Sequence, residues 1–425
     1  MTPLPQRTGV LVIGGGPVGL VVSGLLARHG VANVVVERRR ETQRAPAAHV
    51  LRRRSLDVLA LLGVDDEVRR AAPHLPLDFI TWCTTLGGAE VGRLDLRPRD
   101  PHTGRRGPEP WTNCPQNLLE PILLRHVSGR RETRVVRGAE CVALEQTDAV
   151  VSARVRRDDG SESCVTAAWV IAADGASSPT RRALGIPMEG QGALGRFLMV
   201  HFAADLSPWI RARPGPLFWI HNPESPACLI VHDPQRSHVL MMPVDGSADP
   251  TAAVPERLAA ALGVPVRPEI LSVDAWSPHV QVAARYRRGR VFLVGDAAHR
   301  FPPTGGLGLN TGIQEACVLA NALAQVETGG AEQTRLDTYE AACRPVAAAN
   351  AAASFANLER LGEISRQLGT WPTLASLERR LASLTTAEQR ALAAAIEAQR
   401  GHFLCDGPVP EALGTASPGS PCGAC

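Results

Sequence analysis

The chain of 425 residues contains no lysine, so all 45 of its basic Lys/Arg positions are arginine. That absence excludes Schiff-base chemistry, pyridoxal phosphate anchoring and the phosphate-reaching lysine of a P-loop. Tyrosine is almost absent as well, with Tyr286 and Tyr339 the only two. Excess charge of one sign is missing: a net charge of +3 argues against a nucleic-acid or anionic-membrane partner. The apolar run Val10–Ala27 is interrupted by Gly14-Gly15-Gly16-Pro17, which argues against a membrane span. Met1–Thr8 is short and polar, unlike a secretory leader. The ten cysteines are scattered, so they read as reduced thiols of a cytoplasmic protein rather than a disulfide framework, with no metal site expected. The closing Cys422-Gly423-Ala424-Cys425 has no second pair or His-rich partner nearby and reads as part of a disordered tail. The arginine clusters Arg38–Arg40, Arg52–Arg54 and Arg105-Arg106 read as solvated surface, the first of them near a cofactor site.

What is present begins with a buried-strand pattern, Val10–Ile13, followed by Gly14, Gly16 and Gly19 and a helix Val18–His29. A second strand, Val34–Val36, ends in Glu37, 18 residues after Gly19. Between strand and helix, this Gly-x-Gly-x-x-Gly spacing marks a dinucleotide site. The first glycine makes the tight turn, the second admits a pyrophosphate, and the third lets helix and strand pack. Glu37 is placed to accept hydrogen bonds from ribose hydroxyls. A helix follows at Ser55–Leu62, then a Pro/Gly/Arg-rich excursion between Leu77 and Trp111, a helix opening at Gln116, and strands Arg134–Arg137, Cys141–Gln146, Val150–Arg156 and Val165–Ala172. The last of these delivers Asp174-Gly175-Ala176-Ser177-Ser178-Pro179-Thr180-Arg181. Residues 197–244 alternate as strands, and Ala-rich helix fills the chain from Asn321 to about Arg400, with a break at Gly369–Pro372.

The stretch Val291–Asn321 organises the rest. It is a strand ending in Gly295-Asp296, a Pro/Gly-dense loop, and an amphipathic helix beginning near Asn310. Strand, loop and helix N-terminus bring backbone N–H groups to one point, a site for an anionic or electron-rich group. Pro302-Pro303 stiffens the loop, and Gly305, Gly306 and Gly308 let a flat ligand approach the main chain.

Three motifs occur in order: Gly14-x-Gly16-x-x-Gly19 with Glu37, Asp174-Gly175-x-x-Ser178-x-x-Arg181, and Gly295-Asp296-Ala297-Ala298-His299 through Pro302-Pro303 to Asn310. Together they resemble the single-component FAD-dependent aromatic hydroxylases, the class A flavoprotein monooxygenases that include para-hydroxybenzoate and phenol hydroxylases. The likeness covers about residues 8 to 365. It implies an α/β fold in which a Rossmann-like FAD-binding domain with a parallel sheet is interleaved with a β-sheet substrate domain and followed by C-terminal helices. The FAD-binding domain is expected at 1–76, 113–187 and 276–365, the substrate domain at 77–112 and 188–275, helices at 366–410 and a disordered tail at 411–425.

The resemblance also implies site residues. Gly14, Gly16 and Gly19 would cradle the FAD pyrophosphate, Glu37 and Arg38 would hold the adenosine end, and Gln116 and Arg44 would contact the ribityl and phosphate region. Asp174 and Arg181 would serve both FAD and the nicotinamide of NAD(P)H. Asp296 would bind the ribityl chain, and Pro303, Gly306, Leu309 and Asn310 would surround the flavin ring. The implied activity is NAD(P)H- and O2-dependent hydroxylation of a phenolic or aromatic polyketide-like substrate through a flavin hydroperoxide, by a monomer or homodimer. Baeyer–Villiger oxidation or epoxidation on the same fold, and a catalytically silent flavin-binding partner subunit, are the alternatives. Ala47 departs from the family, where several relatives carry a basic residue, and a C-terminal thioredoxin-like domain carried by many relatives is not expected.

Phenol ionisation needs a base or relay. Tyr286 and Tyr339 both fall outside the substrate sheet, which leaves His201 and His221 as the leading candidates, with His232 and His49 behind them. Trp82, Phe218 and Trp219 are the candidates for stacking an aromatic ring.

Overall fold

The computed structural model describes residues 4–75, 77–97, 111–244, 249–404 and 410. The tail from Glu411, with Cys422 and Cys425, lies outside the described residues, as does Arg105-Arg106.

Val10–Ile13 is apolar without interruption because its strand, Arg7–Ile13, is covered on both faces. It runs parallel to Asn33–Glu37 on one side and to Glu162–Ala172 on the other. Thr133–Arg137 adds to the first neighbour and Val291–Leu293 to the second, both also parallel. The ribbon Ala139–Gln146/Val151–Arg157 joins antiparallel to Glu162–Ala172, and Arg287–Arg288, antiparallel to Val291–Leu293, completes an eight-stranded sheet. Strand order reverses at Arg7–Ile13, so the crevice at the carboxyl ends of the parallel strands is the place for a ligand. The helices Pro17–Arg28, Gln116–Ser128 and Leu307–Glu327 bury Leu20, Leu25, Leu123 and Leu319 against this core. Each such leucine contributes about 1.5–3 kcal/mol relative to exposure.

A second sheet of seven strands takes Phe79–Cys83 and Glu90–Asp95 from the early excursion and its remaining strands from residues 197–276. It is antiparallel apart from the parallel pair Leu217–Ile220 with Phe79–Cys83. The 32-residue helix Asp337–Leu368 ties the two bodies together, with Tyr339, Cys343 and Ala347 in the first core and Ile364 and Leu368 in the second. A short ribbon, Val50–Arg52 paired with Trp111–Asn113, lies between them. No described helix is long and apolar enough to cross a membrane.

Candidate functional site

Four strand ends open into one cleft of about 330 Å3, whose lining includes Gly16, Glu37, Gln116, Asp174, Asp296 and Leu309. The three glycines of the first turn have distinct duties. A Cβ on Gly14, where φ is +108°, would lie 2.2 Å from the Ala173 carbonyl oxygen, and one on Gly19 would lie 2.0 Å from the Gly14 oxygen. Both positions are closed by main chain. A Cβ on Gly16 would meet nothing within 4 Å. The helix Pro17–Arg28 begins there without a side-chain cap, so its positive end faces open cleft. Glu37 accepts from the Gly15 N–H at 2.7 Å and the Arg39 N–H at 2.8 Å. Its carboxylate keeps lone pairs for a further donor. Arg38 and Arg39 both line the cleft, and Arg39 was not among the expected contacts.

Asp174 caps its own turn, accepting from the Ser178 hydroxyl at 2.5 Å and the Thr180 N–H at 3.0 Å while lining the cleft. Arg181 differs from its expected role. It is buried, does not line the cleft, and donates to the Ala297 carbonyl at 2.9 Å, so it braces the Asp296 turn from behind. Asp296 is exposed to the cleft, and the protein atoms around it push its carboxyl above the ordinary value. The turn that carries it is clamped by Glu315 of the long helix, which accepts from the Gly295 N–H at 2.9 Å and meets His299 Nε2 at 3.1 Å. Glu315 and His299 are fully buried. Burial alone would lower the His299 imidazole, but the carboxylates of Glu315 and Asp296 offset this and hold it above its ordinary value.

The Pro/Gly loop ends at Gly306, left-handed at φ +63°, and the helix starts at Leu307, one turn before the expected Asn310. Exposed Pro303 accepts the Gly306 N–H at 3.0 Å. Asn310 is buried: it donates to the carbonyls of Val50 at 2.8 Å and Gly306 at 2.7 Å and accepts the Arg52 N–H at 2.9 Å. It therefore fastens the loop to the ribbon and is no surface contact. Arg52, expected on the surface, is only 2% exposed and donates to the Gly305 carbonyl at 2.6 Å. Gln116 lines the cleft with its amide held by buried Glu120 at 2.6 Å. Arg44 is exposed, pairs with Glu41 and is not among the residues lining the cleft.

The register of the second sheet separates the aromatic candidates. Trp219 stands beside Trp82 and Cys228, and the same row continues through Met241 to Met199. His201, two residues on, shares that face. The next row, Phe218–Leu229–Leu240–Val200, points to the other face and is fully buried. Phe218 is thus core, which corrects its expected stacking role. Trp82 is 1% exposed, and packing has closed it to a ligand as well. Half-buried Trp219 remains, its indole N–H buried without a partner among the described residues. His232, where the register of its strand shifts, touches His49 across the bodies.

The histidine candidates separate too. His201 Nε2 meets the Ser237 hydroxyl at 3.3 Å, and burial lowers its pKa. His221 follows its strand, its Nε2 unpartnered, and burial pushes it down to about 4. Tyr339 donates to the Leu293 carbonyl at 2.7 Å and Tyr286 packs 5.9 Å from it, both in the core behind the cleft.

Known proteins share this arrangement. The FAD binding domain family matches residues 7–354. A 2,4-dichlorophenol 6-monooxygenase of Cupriavidus pinatubonensis is 33% identical over 386 residues, covering 86% of this chain and 64% of its own. A tetracenomycin B2 monooxygenase-dioxygenase of Streptomyces olivaceus is 33% identical over 370 residues, covering 79% of this chain and 66% of its own. The chain thus spans just under two thirds of the length of these curated relatives. The crystal structure of the flavin-dependent monooxygenase PieE in complex with FAD and substrate superposes with a TM-score of 0.85 at 31% identity, covering 92% of this chain and 71% of that one. With the glycine turn, the Asp174 and Asp296 turns and the interleaved sheets in place, the chain belongs to the FAD binding domain family.

Proposed function

We propose that the protein is an FAD-dependent monooxygenase that uses NAD(P)H and O2 to hydroxylate a phenolic or aromatic polyketide-like ring. The observation that carries this reading is a cleft left open at Gly16 and lined by the acids Glu37 and Asp296, with the second sheet meeting its domain at the His49–His232 contact. The residues fit FAD. The gap at Gly16 and the uncapped helix end suit a pyrophosphate. Glu37 suits ribose hydroxyls, and Asp296 with Gln116 suits the ribityl chain. Bound there, FAD supplies the redox and oxygen-transfer chemistry. The chain's own residues bind and orient it, exclude water and manage the substrate's proton. The relatives' names, a chlorophenol monooxygenase and a tetracenomycin monooxygenase, support an aromatic substrate.

Denatured holoprotein is expected to release FAD and not FMN. Aerobic turnover with NAD(P)H and a panel of phenols and aromatic polyketides should give a product heavier by one oxygen atom. Asp296→Ala removes an acceptor on the cleft wall and should weaken FAD binding by about 1.5–3 kcal/mol, roughly tenfold to a hundredfold. Equilibrium dialysis of the refilled apoprotein measures it. A folded Asp296→Ala protein that holds FAD as tightly as the parent defeats the placement, and flavin-loaded protein whose NAD(P)H oxidation yields only peroxide and no oxygenated product defeats the hydroxylase reading.

A further inference from the structure

The helix Gln116–Ser128 begins at the cleft wall, and the spacing of Gln116 and Glu120 stacks their side chains on one face, a turn apart. The Gln116 N–H is tied to the Ala48 carbonyl at 2.9 Å, and both residues line the cleft. Glu120 lies behind them, fully buried, and is not among the lining residues. Its two oxygens hold different groups. One lies 2.6 Å from Gln116 Nε2, and the other accepts the Gln43 N–H at 2.8 Å, from 77 residues back along the chain. Arg39, with Nη2 3.9 Å away, and Arg137 offset the buried negative charge. One carboxylate thus fastens the segment that follows Glu37 to the helix that carries Gln116.

The chemistry of these partners fixes the Gln116 amide. A carboxylate oxygen only accepts, so the Gln116 atom beside Glu120 is the NH2 group, and the amide oxygen is left for the cleft. That oxygen takes no donor among the described residues. An amide oxygen accepts from a hydroxyl and is repelled by a phosphate oxygen, which is itself an acceptor. The motif by itself leaves Gln116 open to either group. The buried acid one turn further along the helix decides between them.

We propose that Glu120 is a positioning residue that turns the Gln116 oxygen into the cleft, so that Gln116 takes a hydroxyl donor of the ribityl chain and not a phosphate of FAD. The inference rests on the FAD reading above. Glu120→Gln would reverse the arrangement. The Gln43 N–H can only donate, so the introduced amide must give it the oxygen and turn its own NH2 toward Gln116. Gln116 then turns its oxygen inward and presents NH2 to the cleft. The exchanged pair Gln116→Glu/Glu120→Gln puts an acceptor back at the cleft and keeps the total charge.

The test is the affinity of the apoproteins, by quenching of flavin fluorescence, for FAD and for FAD analogues that each carry fluorine in place of one ribityl hydroxyl. Fluorine accepts weakly and cannot donate. The parent should bind one analogue about two- to tenfold more weakly than FAD, the worth of one neutral hydrogen bond. Gln116→Leu should erase that difference. Glu120→Gln should erase it too, although Gln116 is still in place, and the exchanged pair should recover it. A merely structural Glu120 predicts instead an equal loss for FAD and every analogue, with no recovery on exchange. A Glu120→Gln protein that discriminates as the parent does, or a folded exchanged pair that discriminates no better than Glu120→Gln, overturns the proposal. If neither Glu120 variant folds, Gln116→Leu decides, and discrimination unchanged from the parent overturns it. A parent that binds no FAD overturns the FAD reading instead, so the two failures are told apart.

Discussion

Gly14→Ala should cost at least about 4 kcal/mol of folding stability, whereas Gly16→Ala should leave stability within about 0.5 kcal/mol and abolish tight FAD binding. The two positions are two residues apart and read alike in the motif, but their surroundings are opposite. At Gly14 the φ of +108° is a conformation that L side chains rarely adopt. A methyl group there would sit 2.2 Å from the Ala173 oxygen and 2.6 Å from the Ala173 carbonyl carbon. Both atoms are main chain at the end of the strand Glu162–Ala172, which pairs with Arg7–Ile13. Relief would require those two central strands to part. At Gly16 the backbone is at φ −76° and ψ −179°, ordinary for alanine, and the space beyond is open. A methyl group there meets nothing in the apoprotein and projects into the space that a pyrophosphate needs. Urea denaturation of the apoproteins and FAD titration by flavin fluorescence separate the two effects. Undiminished FAD affinity in Gly16→Ala would show that the pyrophosphate does not approach this turn.

The same contrast explains how much of the site was legible in the sequence. Motifs whose meaning is local were readable: the glycine turn with Glu37, the Asp174 turn and the Asp296 turn all line one cleft. Their joint family was confirmed by the match over residues 7–354. Residues whose role depends on a partner far along the chain were not. Arg52 stands in an Arg-Arg-Arg run that reads as surface, but a bond to the Gly305 carbonyl, 253 positions away, draws it inside. Arg44 shows the reverse, since Glu41, three residues away, holds it on the surface. Phe218 and Trp219 are neighbours of similar chemistry. Only the strand register, set by pairing with Leu229 and Cys228, decides that the first is core and the second lies on the opposite face. Alternation predicted that they diverge, but nothing in the sequence told which face was which. The helix expected near Asn310 begins at Leu307 because Gly306 caps it in the left-handed conformation, freeing Asn310 to tie the loop down. His49 was named only behind His201 and His221, because its partners Asn113 and His232 come from 64 and 183 residues further on.

Glu315→Ala should destabilise the apoprotein by about 3–5 kcal/mol, because it strands a buried imidazole and leaves the Gly295 N–H unsatisfied. The milder Glu315→Gln isolates the electrostatic part through pH. His299 is held above its unfolded value of 6.5 by Glu315 and Asp296. A histidine raised in this way contributes stability that is fully present below pH 6.5 and is lost as pH rises through its folded pKa. The buried histidines His49, His221, His232 and His402 are lowered, so their contribution has the opposite sign and is lost as pH falls below 6.5. Asp296 has the same sign as His299: its raised carboxyl loses stability as pH climbs from 3.8. Buried thiols such as Cys83, pushed up to about 12, act only above 9.0. Among the histidines named, the interval between about pH 6.5 and 8.5 is left to His299. Denaturant midpoints of the apoprotein should decline across it, and Glu315→Gln should flatten the decline because a neutral amide no longer raises the imidazole. The Asp296 turn loses its anchor in the same variants, so FAD affinity should fall along with stability in Glu315→Ala and only modestly in Glu315→Gln. If the decline between pH 6.5 and 8.5 persists unchanged in Glu315→Gln, the buried pair is not the source of the slope, and the turn is held by its backbone alone.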